Sequence, residues 1–231
     1  MDPWHNFWFA VFPYLSLTTF ILGHLYRYFT KPFDWNPKSS EILAKEGLKY
    51  GVYLFHAGVL LAFVGHAGGL LIPQALFDAV GIDGSAHAKL SIWLGIPFGW
   101  MAFVGVVWLL LRRFFQKRIF WNGRMENFVA LALLLWVIGT GFYNVHFGGF
   151  YILDTVAPWI RGIVLLRPDP GLMAGVPLSY KLHVLGAFVL FGVSPFTRLV
   201  HIFSVPWRYP FRRYLVFRKH IPVNGPYVHK G

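Results

Sequence analysis

The chain has 231 residues, of which 56% are hydrophobic and 13% are charged. A soluble domain carries about 25% charged residues, so this composition indicates a protein of the lipid bilayer. There are no cysteines, which excludes disulfides, thiolate metal sites and cysteine-ligated iron–sulfur clusters within the chain. The net charge of +12 does not indicate nucleic-acid binding, because the cations fall between apolar runs rather than on one face of a soluble module.

Five apolar segments follow one another along the chain, each long enough to cross a hydrocarbon core of about 30 Å. They cover residues 4–26, 50–73, 88–111, 127–149 and 179–204. No lysine or arginine precedes Arg27, so the first segment is expected to lack the basic start of a cleaved signal. We therefore predict an all-α integral membrane protein, with a bundle of five transmembrane helices over residues 1–205. Residues 206–231 are predicted to form a basic and aromatic cytoplasmic tail.

The distribution of cations predicts the orientation of the bundle. All but four of the 21 lysines and arginines lie between spans one and two, between spans three and four, or in the C-terminal part of the chain from Arg198 near the end of span five onward. Since cytoplasmic loops are enriched in Lys and Arg, we expect the N-terminus outside and the C-terminus in the cytoplasm. Residues 150–178 then form a long outer connection whose Pro and Gly content predicts a loop or a short interfacial helix. The tail is either a membrane-surface anchor or a docking surface for a cytoplasmic partner.

Two of the spans carry two histidines each, and an ionisable residue inside a span indicates function by default. Span two contains His56 and His66, and span five contains His183 and His201. Because the spans run in opposite directions, His66 is expected at the depth of His183 near the outer face, and His56 at the depth of His201 near the inner face. Ten helical residues rise about 15 Å and eighteen about 27 Å, so straight helices would not align both pairs. Pro195 is expected to provide the necessary kink.

Opposed imidazoles at two depths fit haem better than zinc. Zinc gathers its ligands around one tetrahedral centre, whereas a haem takes one imidazole on each axial face. Gly65 beside His66, and Gly58 beside His56, would let a porphyrin approach the backbone. We therefore predict two b-type haems with bis-histidine ligation. With both axial positions filled, such haems carry electrons and do not activate oxygen.

Two long stretches of the sequence resemble a known family. They are "SSEILAKEGLKYGVYLFHAGVLLAFVGHAGGLLIP" (39–73) and "YKLHVLGAFVLFGVSPFTRLVHIFSVPWRY" (180–209). Both are similar to the gamma subunit of membrane-bound respiratory nitrate reductase, a five-span di-haem cytochrome b. The family's axial iron ligands fall on His56, His66, His183 and His201, paired as their depths suggest.

The resemblance also implies a reaction. Quinol would be oxidised near the outer haem, and electrons would pass through the inner haem to an iron–sulfur subunit. A molybdenum subunit would then reduce nitrate to nitrite. The chain would thus be one subunit of a quinol:nitrate oxidoreductase in the cell membrane, in contact with lipid and its two partner subunits.

The quinol site is the part of the chain that departs from the family pattern. The family has a lysine near the start of span three, beside its quinol pocket, and here that position aligns with His87. Lys89 stands two residues later. The resemblance assigns the quinol site to His87 or Lys89, together with Gly65 and His66, since a histidine can bond to a quinol oxygen and take its proton. The alternative is an interfacial histidine and a snorkelling lysine without a catalytic role.

Arg112, with Arg113 and Arg198, lies at the cytoplasmic end of a span and could pair with propionates of the inner haem. Positive-inside topology explains these arginines equally well.

Three other functions remain open. The first is a di-haem cytochrome b of another quinone-linked molybdenum or sulfur oxidoreductase. The others are a transporter with a histidine proton relay, although the span interiors lack the carboxylates that such a relay favours, and a purely structural anchor.

Overall fold

The computed structural model describes residues 2–30, 47–121 and 125–203, and within these ranges every regular element is helical. The helices are α1 (Pro3–Thr30), α2 (Leu48–Leu71), α3 (Gln74–Ala79), α4 (Gly84–Phe115), α5 (Lys117–Trp121), α6 (Met125–Tyr143, continued by Asn144–Gly148), α7 (Val156–Val164) and α8 (Leu178–Val193). Five helical segments are long and apolar enough to cross a membrane: α1, α2, α4, the part Phe128–Gly148 of α6, and Leu178–Phe196, in which a 3₁₀ turn extends α8. The predicted all-α, five-span fold is confirmed. The predicted tail at 206–231 lies outside the described residues.

The long helices suit a lipid environment because a helix satisfies its backbone hydrogen bonds internally. Large apolar side chains cover their outer surfaces; Trp93 on α4, for example, is 77% exposed. Local signals set the helix starts. The Asp83 side chain accepts a hydrogen bond from the Ala86 N–H at 2.8 Å and so caps α4. The α1 helix starts after a capping Asp2 with Pro3 in its first position.

Close helix packing proceeds through the bundle in the order α2, α4, α6, α8 and α1. The crossing of α2 and α4 brings two backbones together, because Gly58 lies against Ala102 and Gly105 lies against Phe55. Within the described ranges, α2 and α8 are not one of the closely packed pairs. These two histidine-bearing helices therefore face each other without direct backbone packing.

The connection between α6 and α8 folds over the end of the bundle that holds His66 and His183, which we call the His66 end. Trp159 on α7 is completely buried and packs against Phe9 and Phe188. Its indole N–H donates to the Phe9 carbonyl at 2.8 Å. Arg161 on the same helix donates to the Leu70 carbonyl of α2 at 3.1 Å. The connection at residues 150–178 thus contains a short helix, one of the two expected forms, and this helix is part of the packed core.

Span five differs from the expected single helix, because α8 ends at Val193. Proline has no N–H, so Pro195 cannot donate to the Phe191 carbonyl, and the Ser194 hydroxyl donates to that carbonyl instead at 2.8 Å. Thr197 is fully extended, and its Oγ1 accepts a hydrogen bond from the Leu199 N–H to start a new 3₁₀ turn, Arg198–Ile202. The chain therefore breaks rather than kinks.

The break carries His201 on a 3₁₀ turn that is separate from the helix of His183. The expected departure from a straight helix is found near Pro195, but it is a break in the helix and not the predicted kink. Because the break removes the fixed 27 Å rise that a helix of this length would impose (about 1.5 Å per residue), His201 is free to reach the depth of His56. The rise from His56 to His66 and the rise from His183 to His201 therefore need not differ as straight helices would require. The end of the bundle that holds His56 and His201 is called the His56 end.

Candidate functional site

The four histidines of spans two and five form two pairs of facing imidazole rings. The ring centroids of His66 and His183 lie 5.9 Å apart, and those of His56 and His201 lie 6.0 Å apart. Each pair joins α2 to the span-five segment across the side where these two segments lack close backbone packing. The pairing expected from depth in the membrane is the pairing found in the structure.

Each imidazole is oriented by a hydrogen bond from its Nδ1 to a backbone carbonyl. His56 bonds to Val52 at 2.8 Å and His66 to Ala62 at 2.7 Å, both within α2. His201 bonds to Arg198 at 2.7 Å within its own turn. Since a carbonyl only accepts, Nδ1 carries the proton of each neutral ring and Nε2 carries the lone pair. This is the tautomer in which Nε2 can ligate a metal.

His183 is the exception because its carbonyl acceptor belongs to another helix. Its Nδ1 bonds to the Val137 carbonyl of α6 at 2.9 Å, and Oγ1 of Thr140 lies 3.3 Å from the same nitrogen. Gly141 gives the ring its space, because a Cβ there would lie 2.8 Å from Cε1 of His183. Sequence reasoning missed this contribution of α6. A main-chain acceptor has no sequence signature, and the only available signal was a small residue beside a threonine in an apolar span.

The dimensions of both pairs fit a six-coordinate haem iron. Two metal–imidazole bonds of about 2.0–2.1 Å, each extended by about 1.1 Å to the ring centre, put the centroids about 6.2 Å apart. The observed separations are 5.9 and 6.0 Å. Among the described residues, no group of three or more His, Asp or Glu side chains could hold a metal ion. A tetrahedral zinc site therefore does not fit, whereas two axial donors per iron do.

The glycines near the histidines divide into two kinds. A Cβ on Gly65, next to His66, would meet nothing within 4 Å, so this backbone is open to a flat ligand. A Cβ on Gly58 would overlap the backbone of Ala102. The prediction that Gly58 makes room for a porphyrin is therefore wrong, because this glycine is used for the crossing of α2 and α4.

Three arginines gather at the His56 end. Arg113 is 6% exposed, and its guanidinium carbon lies 4.7 Å from the ring centroid of Phe128. Arg113 also lies within electrostatic range of Arg112 and Arg198, and Arg198 lies within range of His201. Like charges this close together form a site that suits a carboxylate or another anion.

The two candidates for the quinol site have different surroundings. His87 is 3% exposed, its ring lies against Phe77 with centroids 4.0 Å apart, and its Nδ1 is 2.8 Å from Oε1 of Gln74. The other nitrogen, Nε2, lies 3.6 Å from where a Cβ of Gly69 would be. Gly69 is one helical turn after His66, so His87 faces the part of α2 that carries this histidine. Lys89 is exposed.

The remaining described histidines contact backbone carbonyls and aromatic rings, and within the described ranges none of them faces another imidazole at the distance of the two pairs. His146 bonds through Nδ1 to the Phe142 carbonyl at 2.9 Å and stacks on the Phe142 ring. His5 bonds through Nε2 to the Pro170 carbonyl at 2.8 Å. The ring of His24 packs edge-on against those of Phe20 and Phe203, which also contact each other.

Comparison with known proteins gives one consistent family. The family model described as "Nitrate reductase gamma subunit" matches residues 5–220. The nitrate reductase gamma chain of Bacillus subtilis (strain 168) is 44% identical over 214 residues, which cover 91% of this chain and 96% of the relative. The respiratory nitrate reductase 1 gamma chain of Escherichia coli (strain K12) is 30% identical over 218 residues, covering 92% and 96%.

A third relative is the nitrate reductase-like protein NarX of Mycobacterium tuberculosis. It is 34% identical over 218 residues, which make up 33% of that longer protein. With five candidate spans and matches of this extent, the chain is a multi-pass protein of the cell membrane. The chain belongs to the nitrate reductase gamma subunit family.

Proposed function

We propose that this chain is the quinol-oxidising membrane-anchor cytochrome b subunit of a respiratory nitrate reductase. The observation that carries the proposal is the pair of facing imidazoles at each end of the bundle, with centroids 5.9 and 6.0 Å apart. The Nδ1 atoms of all four rings point to carbonyls, which leaves Nε2 as the donor to iron. The relatives are named nitrate reductase gamma chains, and this supports nitrate as the final electron acceptor of the complex.

Two bound b-type haems supply reversible one-electron transfer between quinol and the partner subunits. His66 and His183 would hold one haem, and His56 and His201 the other. Because each pair would give two imidazoles to one iron, the protein would leave oxygen no open coordination site. Arg112, together with Arg113 and Arg198, would bind propionate carboxylates at the His56 end through charge-assisted hydrogen bonds.

The proposed orientation puts the His66 end outside and the His56 end in the cytoplasm. This orientation is inferred from the distribution of cations along the sequence. All but four of the 21 lysines and arginines belong to segments that are expected on the side of the His56 end, and cytoplasmic segments are enriched in these residues. The chain has no cysteine, so it needs a partner subunit for iron–sulfur chemistry and a molybdenum subunit for nitrate. The subunits that co-purify would also separate this proposal from a cytochrome b of another molybdenum or sulfur oxidoreductase.

The partner subunits are proposed to dock on the basic connections and on the tail from Trp207 onward. Truncation after Val205 is expected to leave the spans inserted with both haems but to release the iron–sulfur and molybdenum subunits from washed membranes, because it removes six of the chain's 21 cations. The subunit content of the membrane and soluble fractions measures this. Truncation after Pro222 keeps the run 207–219 and is the matched control. Subunits that stay bound and quinol-coupled after the longer truncation would make the tail an anchor only.

The quinol site is proposed at the His66 end, with His87 as the residue that contacts the substrate. Its supporting observations are burial and the approach of Nε2 to Gly69, near His66. His87→Ala is expected to slow quinol-dependent haem reduction by about tenfold or more, the cost of one lost hydrogen bond to a reacting group. Both haem spectra should be retained, and nitrate reduction by an artificial donor that bypasses the haems should persist.

Lys89→Ala is the matched control, since this side chain is exposed and stands two residues away on the same helix. Stopped-flow reduction of the haems by quinol measures both variants. A strong loss in Lys89→Ala with normal kinetics in His87→Ala would move the role to the lysine. Normal kinetics in both would place the pocket elsewhere.

A further inference from the structure

One glutamine between α2 and α4 has two well-defined sets of hydrogen-bond partners. Nε2 of Gln74 lies 2.8 Å from Oδ1 of Asp78 and 3.0 Å from the Ile82 carbonyl. Both partners only accept hydrogen bonds, so the amide nitrogen must be the atom that faces them. Oε1 of Gln74 is then the atom that lies 2.8 Å from Nδ1 of His87. The orientation of the amide is fixed by chemistry.

The orientation of Gln74 determines the tautomer of His87. Because Oε1 only accepts, Nδ1 of His87 must donate, and Nε2 of the neutral ring carries a lone pair. That lone pair faces α2, with Nε2 3.6 Å from the position of a Gly69 Cβ. The hydroxyl of Ser91 lies 4.0 Å from the same position. The ring of Phe77 packs against the ring of His87 at a tilt, with the two centroids 4.0 Å apart.

We propose that Gln74 is a positioning residue that makes His87 a hydrogen-bond acceptor for the hydroxyl of a hydroquinone. An acceptor at this position binds the O–H of a quinol, and it offers nothing to the carbonyl oxygen of the oxidised quinone, which itself only accepts. The site thereby binds the reduced substrate more tightly than the oxidised product. With quinone bound, Nε2 of His87 and the quinone oxygen are both acceptors, so both are left buried and unpaired, and this favours product release. This inference rests on the proposed quinol site at His87.

The test measures two constants for each variant. The first is the KM for a soluble naphthoquinol, and the second is the inhibition constant of the matching naphthoquinone. Gln74→Met keeps the length of the side chain but removes the acceptor, so the opposite tautomer of His87 becomes available. We expect the KM for the quinol to rise about tenfold while the inhibition constant of the quinone is unchanged or falls. General damage to the pocket would raise both constants together. That result would overturn the proposal.

A double variant distinguishes the tautomer from other effects of losing Gln74. In Gln74→Glu with Asp78→Asn, the carboxylate still accepts from Nδ1 of His87 and the new amide still donates to residue 74, while the bond to the Ile82 carbonyl is lost. The ratio of the two constants is expected to return to within a few-fold of its original value. A double variant that behaves like Gln74→Met, in a complex that retains both haem spectra, would contradict the assigned role.

Failure of the proposed quinol site at His87 would give different results from failure of the inference about Gln74. If naphthoquinol did not reduce the haems of the unmodified complex, the proposed function itself would be wrong. If His87→Ala left both constants unchanged, the site at His87 would be wrong whatever Gln74 does. If only His87→Ala changed them and Gln74→Met did not, the inference about Gln74 alone would fail.

Discussion

Alanine at His66 or His183 is expected to remove the haem at the His66 end and to keep the other one, so that haem content falls from two to about one per chain. Alanine at His56 or His201 should remove the haem at the His56 end only. The expectation follows from the geometry, since each pair has centroids about 6 Å apart and shares no ring with the other pair. Haem-to-protein ratios and redox titrations of the four variants measure the outcome.

The chain offers a matched control for these four substitutions. His146 also lies in a span and also bonds through Nδ1 to the carbonyl four residues earlier, at 2.9 Å. It faces Phe142 and Trp100 instead of a second imidazole. His146→Ala should therefore retain two haems with unchanged potentials. If all four ligand variants retained both haems, or if His146→Ala lost one, the assignment of the ligands would be wrong.

The second large effect is expected at the crossing of α2 and α4. A Cβ at Gly105 would lie 2.5 Å from the Phe55 nitrogen and 2.6 Å from its Cα, and one at Gly58 would overlap the Ala102 backbone. Backbone atoms cannot turn away as a flexible side chain can, so the helices must separate. Gly105→Ala and Gly58→Ala are each expected to cost about 3 kcal/mol or more, at or above the upper end of the usual range for overpacking. Thermal release of haem from the detergent-solubilised protein measures the loss.

Gly99→Ala is the control, because it adds the same methyl group to the same helix. A Cβ at Gly99 would have only an ordinary contact, 4.0 Å from a ring carbon of Phe142. This variant should be as stable as the original or slightly more so, since alanine has the higher helix propensity. If Gly105→Ala and Gly99→Ala had equal stability, the two helices would not be packed as closely as described here.

The fold could be predicted from the sequence because a membrane span has a simple physical requirement. About 20 apolar residues must cross the hydrocarbon core, and five segments of the chain meet that condition. The pairing of the histidines followed in turn from the alternating directions of the spans. The break at Thr197 did not follow, because a proline within an apolar run is compatible with either a kink or a helix end. Only the hydrogen bonds of Ser194 and Thr197 decide between them.

The errors and omissions at the candidate site have a common physical origin. Gly58 was assigned to a ligand because it neighbours His56 in sequence, but the direction in which a glycine faces depends on which helix packs there. Gln74 went unnoticed because it lies in the connection after span two, where polar residues are ordinary. Its role became visible only when its partners Asp78 and His87 were known. Sequence patterns report depth and polarity well, and they report neighbours across helices poorly.

The orientation of His183 by another helix bears on the biogenesis of the cytochrome. His56 and His66 find their carbonyl acceptors within their own helix, and His201 finds one in its own turn, so these rings can be oriented as soon as the local segment forms. His183 acquires its acceptor, the Val137 carbonyl, only when α6 docks on α8. The rings of His56 and His201 can therefore be oriented before α6 docks on α8. The ring of His183, at the His66 end, is oriented only after that docking step.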